Sequence, residues 1–252
     1  MPNKALYCAG KTPAIHYAER CLQSGEIPIV QSPDWNTRHL LLDVPSFKNS
    51  STLRTGGNIY TLLESLPKDI IIWGGNLNSD ALETYTTVDL LQDETYLRQN
   101  AAITADCAIR IAAPLLNTTW QDSPALILGW GRIGKHLSQI LKSIKCPITV
   151  AARSERDRYI LKSLGYDTLD ISSAKERIGN YRVLFNTVPA PIIDSSTSDS
   201  TPHCIKIDLA SCKGVDGQDV ISARGLPGIH APESSGKLIA ETFLRLWKEM
   251  EV

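Results

Sequence analysis

The hydrophobic positions of this chain form two kinds of run that alternate along its length. Short apolar runs recur at 5–9, 27–30, 39–44, 69–73, 125–128, 148–152, 183–186 and 204–208. Between them lie longer stretches whose apolar residues return every three or four positions. The first kind has the length of buried strands and the second the period of helices with one face inward. Strands that alternate with helices pair in parallel, because each helix carries the chain back across the sheet. The pattern therefore predicts an α/β protein with parallel sheets.

Capping and breaking residues sharpen the elements. Thr12 and Pro13 stand at the N-cap and first helical position of a helix over 13–23, where each is favoured. The Ser/Thr/Gly stretch 50–57 reads as a loop, 60–66 as a helix, and Gly74-Gly75 ends the strand 69–73. Residues 100–116 are alanine-rich, with no proline before Pro114, and are expected to form a long bridging helix between two domains. A short further strand is expected at 168–169. Over 235–250, Ile239, Phe243, Leu246 and Trp247 recur at helical spacing, which predicts a C-terminal helix packing back on the bridging helix or the first domain. The expected organisation is an N-terminal α/β substrate-side domain (1–99), the bridging helix with a second α/β domain (100–230), and the returning helix (231–252).

Composition narrows the partners. With 252 residues, 42% of them hydrophobic, the chain can bury one large core or two smaller ones. A net charge of -1 offers no general attraction for nucleic acid or an anionic membrane. No apolar run is long enough to span a bilayer. The start, Met1-Pro2-Asn3-Lys4, leads into an apolar stretch too short for a secretory signal. Six cysteines are scattered without a CxxC pair, and five histidines are dispersed. Neither a disulfide frame nor a metal site is expected, and a cytoplasmic location is.

The chemistry concentrates after the run 125–128. Gly129-Trp130-Gly131-Arg132-Ile133-Gly134 follows it directly and opens an amphipathic helix. GxGxxG between a buried strand and a helix is the setting that gives this motif meaning. The first glycine permits a tight turn, the second admits a pyrophosphate to the backbone, and the third lets the helix pack on the sheet. The second domain is thus expected to be a doubly wound, Rossmann-type parallel sheet that binds a nicotinamide dinucleotide. In domains that select NAD, an acid about 20 positions beyond the loop holds the ribose diol. Here the strand 148–152 ends in Arg153-Ser154. A guanidinium matches phosphate oxygens, so Arg153 with Ser154 points to NADP, with NAD as the alternative. Arg156 and Arg158 are read as solvated residues at a helix start.

Thr187, Val188 and Pro189 follow the strand 183–186 and are candidates to line the nicotinamide ribose. Asp208 ends the next strand, either as a turn residue or in a direct role. The stretch 225–232 is dense in glycine and proline and is expected to hold an irregular backbone, with Ser234 and Ser235 capping the last helix.

In order, these segments resemble the nicotinamide-binding subunit family of bacterial dipicolinate synthase. The resemblance runs from Asn100 to about Leu246. It rests on Asn100-Ala101-Ala102-Ile103-Thr104-Ala105-Asp106, on the glycine loop, and on Ala152-Arg153-Ser154. Asn186-Thr187-Val188-Pro189, Asp208-Leu209-Ala210-Ser211 and Gly225-Leu226-Pro227-Gly228-Ile229-His230-Ala231-Pro232 complete it. It implies an oxidoreductase of sporulation and dipicolinic acid biosynthesis, oxidising a dihydrodipicolinate-level precursor with NADP. It also implies a small dicarboxylate substrate and, as partner, a second, flavoprotein-like subunit. A homo-oligomer is compatible with the sequence. Aromatising the ring requires loss of a hydride and a proton, and a placed carboxylate can take the proton. Asp106, where the family carries glutamate, is the candidate, with Thr104 and Asn100 as orienting residues. Asp106 can equally pair with Arg110 at i, i+4. For the diacid, Arg54, Lys213 and His230 are candidate cations. Other readings stay open: a non-catalytic NADP(H)-binding scaffold or sensor, and a shikimate- or hydroxyacid-type dehydrogenase.

Overall fold

A computed structural model describes residues 5–23, 25 and 27–251. The reading of Met1–Lys4 lies outside them. The chain runs β1 (Ala5–Cys8), α1 (Pro13–Leu22), β2 (Ile29–Val30), β3 (Thr37–Leu41), α2 (Ile59–Glu64), β4 (Ile71–Gly74), β5 (Thr86–Asp89) and α3 (Glu94–Ala112). It continues through β6 (Ala125–Leu128), α4 (Arg132–Ser143), β7 (Ile148–Ala152), α5 (Glu155–Ser163), β8 (Asp167–Asp170), α6 (Ala174–Arg177) and β9 (Val183–Asn186). Then come α7 (Ser195–Asp199), β10 (Ile205–Asp208), β11 (Val220–Ser222), α8 (Leu226–His230) and α9 (Pro232–Glu251). Two compact units result, Met1–Asn100 with Pro227–Val252, and Ala101–Leu226. No helix among the described residues is long and apolar enough to cross a membrane.

In the first unit five strands pair in the order β2-β1-β3-β4-β5, all parallel. Leu40, Leu42, Ile59, Leu63, Ile70 and Ile72 form a buried cluster. Helix α9 packs on α1 at Gly236, where a Cβ would stand 2.4 Å from the Ala14 carbonyl oxygen and 2.5 Å from Tyr17 Cβ. Only a glycine permits that approach. Further along α9, Phe243 lies 4.4 Å from Trp73 between ring centroids. Trp73 Nε1 in turn donates to His39 Nδ1 at 3.1 Å, so the buried indole N–H is satisfied. Arg245 of α9 pairs with Asp93 at 2.7 Å.

In the second unit six strands, again all parallel, pair in the order β11-β10-β9-β6-β7-β8. Taken from its first strand, this is the doubly wound order 3-2-1-4-5-6. All residues of β6 and β9 are buried, as expected for central strands covered on both faces.

Four local readings are corrected. Strands β5 and β11 are additional to those expected; each is a short edge strand with no buried residue. Helix α3 begins at Glu94 rather than near 100, since Asp93 accepts a hydrogen bond from Tyr96 N at 2.7 Å and so caps an earlier start. Thr12 occupies the N-cap of α1, but its hydroxyl makes no cap bond and donates to Asp43 Oδ1 at 2.7 Å. The stretch 225–232 is not irregular throughout: Leu226–His230 is a short helix and Pro232 opens α9. Proline suits the first turn of a helix. Ser234 and Ser235 therefore lie inside the first turn of α9 and are not its caps.

Candidate functional site

In the second unit the strand order reverses between β6 and β9, and ligands of open α/β sheets bind at the carboxyl ends beside such a reversal. The glycine loop occupies that position. Gly129 follows β6 with φ +98°, a region open to glycine. A Cβ there would also meet Thr187 Oγ1 at 2.6 Å and Val188 Cγ2 at 2.9 Å. The loop after β6 and the turn after β9 are thus in direct contact. Thr187 seals them further, its hydroxyl donating to the Leu128 carbonyl at 2.8 Å. Gly134, in the first turn of α4, stands where a Cβ would lie 2.3 Å from the Gly129 carbonyl oxygen. It is the residue that lets the helix close on the loop.

Gly131 differs from both. It is the N-cap of α4, with φ -81° and ψ -167°, an ordinary extended conformation. A Cβ would meet nothing within 4 Å. No protein contact requires glycine here, and the open space lies at the amino end of a twelve-residue helix, whose free N–H groups attract anions. Arg132 is exposed and Ile133 half-buried. The Trp130 ring stands 5.9 Å from that of Tyr166 and 5.8 Å from Lys135 Nζ.

At the neighbouring strand end, Arg153 and Ser154 are exposed. Ser154 caps α5, accepting from Asp157 N at 3.3 Å. Among the described residues the Arg153 guanidinium has no ion-pair partner. Arg158, expected to be solvated, is instead tied down. Its Nη1 donates to the carbonyls of Ala152 at 2.7 Å and Arg153 at 2.9 Å, and pairs with Asp170 Oδ2 at 2.7 Å. Asp170 stands opposite Ala152 in the β7–β8 register. Ser172, through its amide and hydroxyl first and then Arg158, holds the Asp170 carboxyl below the usual carboxylate range.

On the other side of the reversal Asp208 is fully buried. It accepts from Asn186 Nδ2 at 2.7 Å and from Gly214 N at 2.9 Å. Asn186 Oδ1 accepts from Val188 N at 3.0 Å. Asp208 therefore shapes the two turns after β9 and β10 rather than facing solvent. The residue pattern carries no signal for this role, because the partners lie 6 and 22 residues away. Pro189 is exposed.

The proposed acid–base residues are not gathered on one surface. On α3, Asn100 and Thr104 lie about 40° apart around the helix, while Asp106 lies about 200° from Thr104. Thr104 is buried, and Asp106 forms an exposed ion pair with Arg110. Among the cations considered for a diacid, Lys213 pairs with Asp216, while Arg54 is half-buried and His230 exposed.

No family model matches the chain. In sequence it is 25% identical over 203 residues to the A subunit of dipicolinate synthase from Bacillus subtilis (strain 168), covering 75% of this chain and 68% of that protein. The chain resembles the dipicolinate synthase A subunit. The fold agrees: the crystal structure of the same subunit from Bacillus halodurans superposes with a TM-score of 0.85 at 21% identity, over 97% of each chain. Transhydrogenase from Sinorhizobium meliloti shares the fold with a TM-score of 0.72 at 12% identity, over 98% of this chain and 94% of that one. Dehydrogenases share it at lower similarity.

Proposed function

We propose that this chain is a cytoplasmic, NADP-dependent oxidoreductase subunit of the dipicolinate synthase type, acting on a dihydrodipicolinate-level precursor. The observation that carries the reading is Gly131. It is a glycine at the strand-order reversal that no fold contact explains, set at the amino end of α4 with open space before it. We read that space as the pyrophosphate's approach. Arg153, with no ion-pair partner among the described residues, and Ser154 fit a 2′-phosphate at the end of β7.

In this reading the N–H groups of the first turn of α4 bind the pyrophosphate oxygens. Arg153 and Ser154 hold the ribose phosphate, and Thr187, Val188 and Pro189 bound the nicotinamide ribose. The bound nicotinamide supplies a hydride acceptor. Asp106 accepts the ring proton after exchanging its contact with Arg110; Asn100 and Thr104, on the opposite side of α3, do not share that site. If the precursor is the hydroxylated tetrahydro form, a water leaves as well. A flavoprotein-like partner completes the substrate side, where among the described residues Asp106 is the acid–base candidate and Lys213 is already paired with Asp216. Orientation supplied in trans can lower a barrier by several kcal/mol.

The alternative, an NADP(H)-binding scaffold or sensor without turnover, is favoured by one observation: Asp106 is ion-paired to Arg110 and turned away from Thr104. Calorimetric titration with NADPH and NADH tests the cofactor, with tighter NADPH binding expected. NADPH formation from freshly generated precursor, followed by absorbance with and without the co-expressed partner, tests the reaction. Turnover only with the partner is expected. NADPH binding with no turnover in either case selects the scaffold, and no binding of either nucleotide overturns both readings.

A further inference from the structure

The end of β7 carries a device that a dinucleotide site does not need merely to fold. We propose that Arg158 is a positioning residue for cofactor choice: by engaging Asp170 and the carbonyls of Ala152 and Arg153, it makes this strand end read a 2′-phosphate instead of a ribose diol. The inference rests on the reading that the glycine loop holds a dinucleotide.

In NAD-binding domains the acid that accepts from the ribose diol stands about 20 residues beyond the glycine loop, at the position that Arg153 takes here. Here β7 itself lacks such an acid, but β8 provides one, because Asp170 is registered opposite Ala152, one residue before Arg153. Left alone, that carboxylate would repel a phosphate and accept from a diol. It is not left alone. Its Oδ1 accepts from Ser172 N at 3.0 Å and Ser172 Oγ at 2.7 Å, and its Oδ2 is taken by Arg158 at 2.7 Å. Both oxygens are occupied and the charge is balanced by the guanidinium beside it.

Arg158 does a second thing. The same nitrogen holds the carbonyls of Ala152 and Arg153, fixing the backbone from which the Arg153 side chain departs. The Arg158 side chain is 22% exposed and that of Asp170 41%, so the pair faces solvent and its consequence is where it holds charge and backbone rather than added stability. One arginine thus masks the acid that would favour NADH and sets the start of the arginine that favours NADPH. A lysine keeps the charge, but its nitrogen stands one bond closer to the backbone than Nη1, which makes all three contacts, so it reaches them less well.

The experiment measures dissociation constants for NADPH and NADH in the parent, Arg158→Met, Arg158→Lys, Asp170→Asn and the Arg158→Met/Asp170→Asn double variant, at fixed ionic strength. Folding is checked by thermal melting. In Arg158→Met the ratio of NADPH to NADH affinity should fall about tenfold or more, the size of one lost charge-assisted interaction. Most of the fall should come from NADPH. Arg158→Lys should lie between parent and Arg158→Met. Asp170→Asn alone should keep the NADPH preference, and in the double variant it should restore much of the lost NADPH affinity. A purely structural Arg158 would weaken both nucleotides in parallel, and Asp170→Asn would not rescue it. Either of those results overturns the inference. If Arg158→Met does not fold, Arg158→Lys and Asp170→Asn carry the test: an unchanged ratio in the first, or a lost preference in the second, overturns it. A parent that binds neither nucleotide refutes the dinucleotide reading itself, whereas a parent that binds both with a ratio insensitive to Arg158 refutes only this inference.

Discussion

The three glycines of the loop are required for different reasons, and substitution should separate them. At Gly134 a methyl group would lie 2.3 Å from the Gly129 carbonyl oxygen, a backbone atom that cannot move without reshaping the loop. Overpacking of this kind costs about 1–3 kcal/mol, against which alanine in a helix recovers about 1 kcal/mol of propensity. Gly134→Ala should therefore lower stability by up to about 2 kcal/mol, and for a chain of this size each kcal/mol moves Tm by roughly 2–4 °C. At Gly131 the position is open and the backbone extended, so Gly131→Val meets no clash and loses only the preference of an N-cap for glycine, on the order of 1 kcal/mol. Its effect on binding should be much larger. An isopropyl group in the anion's approach removes two or more charge-assisted hydrogen bonds at about 1.5–3 kcal/mol each, or roughly a hundredfold or more in affinity. Thermal melting and fluorescence titration with NADPH on the same samples give both numbers. The expected pattern is a folded Gly131→Val that has lost NADPH and a Gly134→Ala whose loss of stability comes first. A Gly131→Val that binds NADPH within a few-fold of the parent would refute the placement of the cofactor at this loop.

Asp208→Ala should be among the more damaging changes in the second unit, because it strips acceptors from the buried Gly214 N–H and Asn186 side chain. Each buried donor left unsatisfied costs about 1–3 kcal/mol, so a large fall in Tm is expected, and denaturation midpoints check it. Gly236→Leu should weaken the packing of α9 on α1 by more than about 1 kcal/mol, since even a Cβ meets the Ala14 carbonyl at 2.4 Å; preservation of the parent midpoint would contradict that close approach. Stability should also fall in acid. The carboxyls of Asp194, hydrogen-bonded by Lys175 foremost, of Asp216, by Lys213, and of Asp170, by Ser172, are held below their ordinary values in the folded chain. A depressed folded value gives stability that is present above the unfolded pKa and lost as pH falls, so denaturation midpoints should be flat near neutrality and drop below about pH 4. Asp194→Asn should make that drop shallower.

Much of this molecule is legible along the chain. The alternation of apolar runs and helical periods determines the α/β class, since a buried parallel strand must be apolar on both faces. GxGxxG after such a strand marks the loop, and Arg153-Ser154 in place of an acid marks the end of β7, because both signals are local to one strand–turn–helix unit. What the pattern misses is what depends on neighbours across the sheet. Strands β5 and β11 escape notice because edge strands of four and three residues, none of them buried, are too short to show a period. Gly236 reads as an ordinary helix residue until α1 is laid against it. Arg158 reads as a solvated helix-start residue until β8 brings Asp170 level with Ala152, and Asp208 reads as a turn residue until Asn186 and Gly214 converge on it. A sequence window records how a residue serves its own helix or strand. Which distant residue stands beside it is decided by strand order and register, and these are fixed only when the whole sheet assembles.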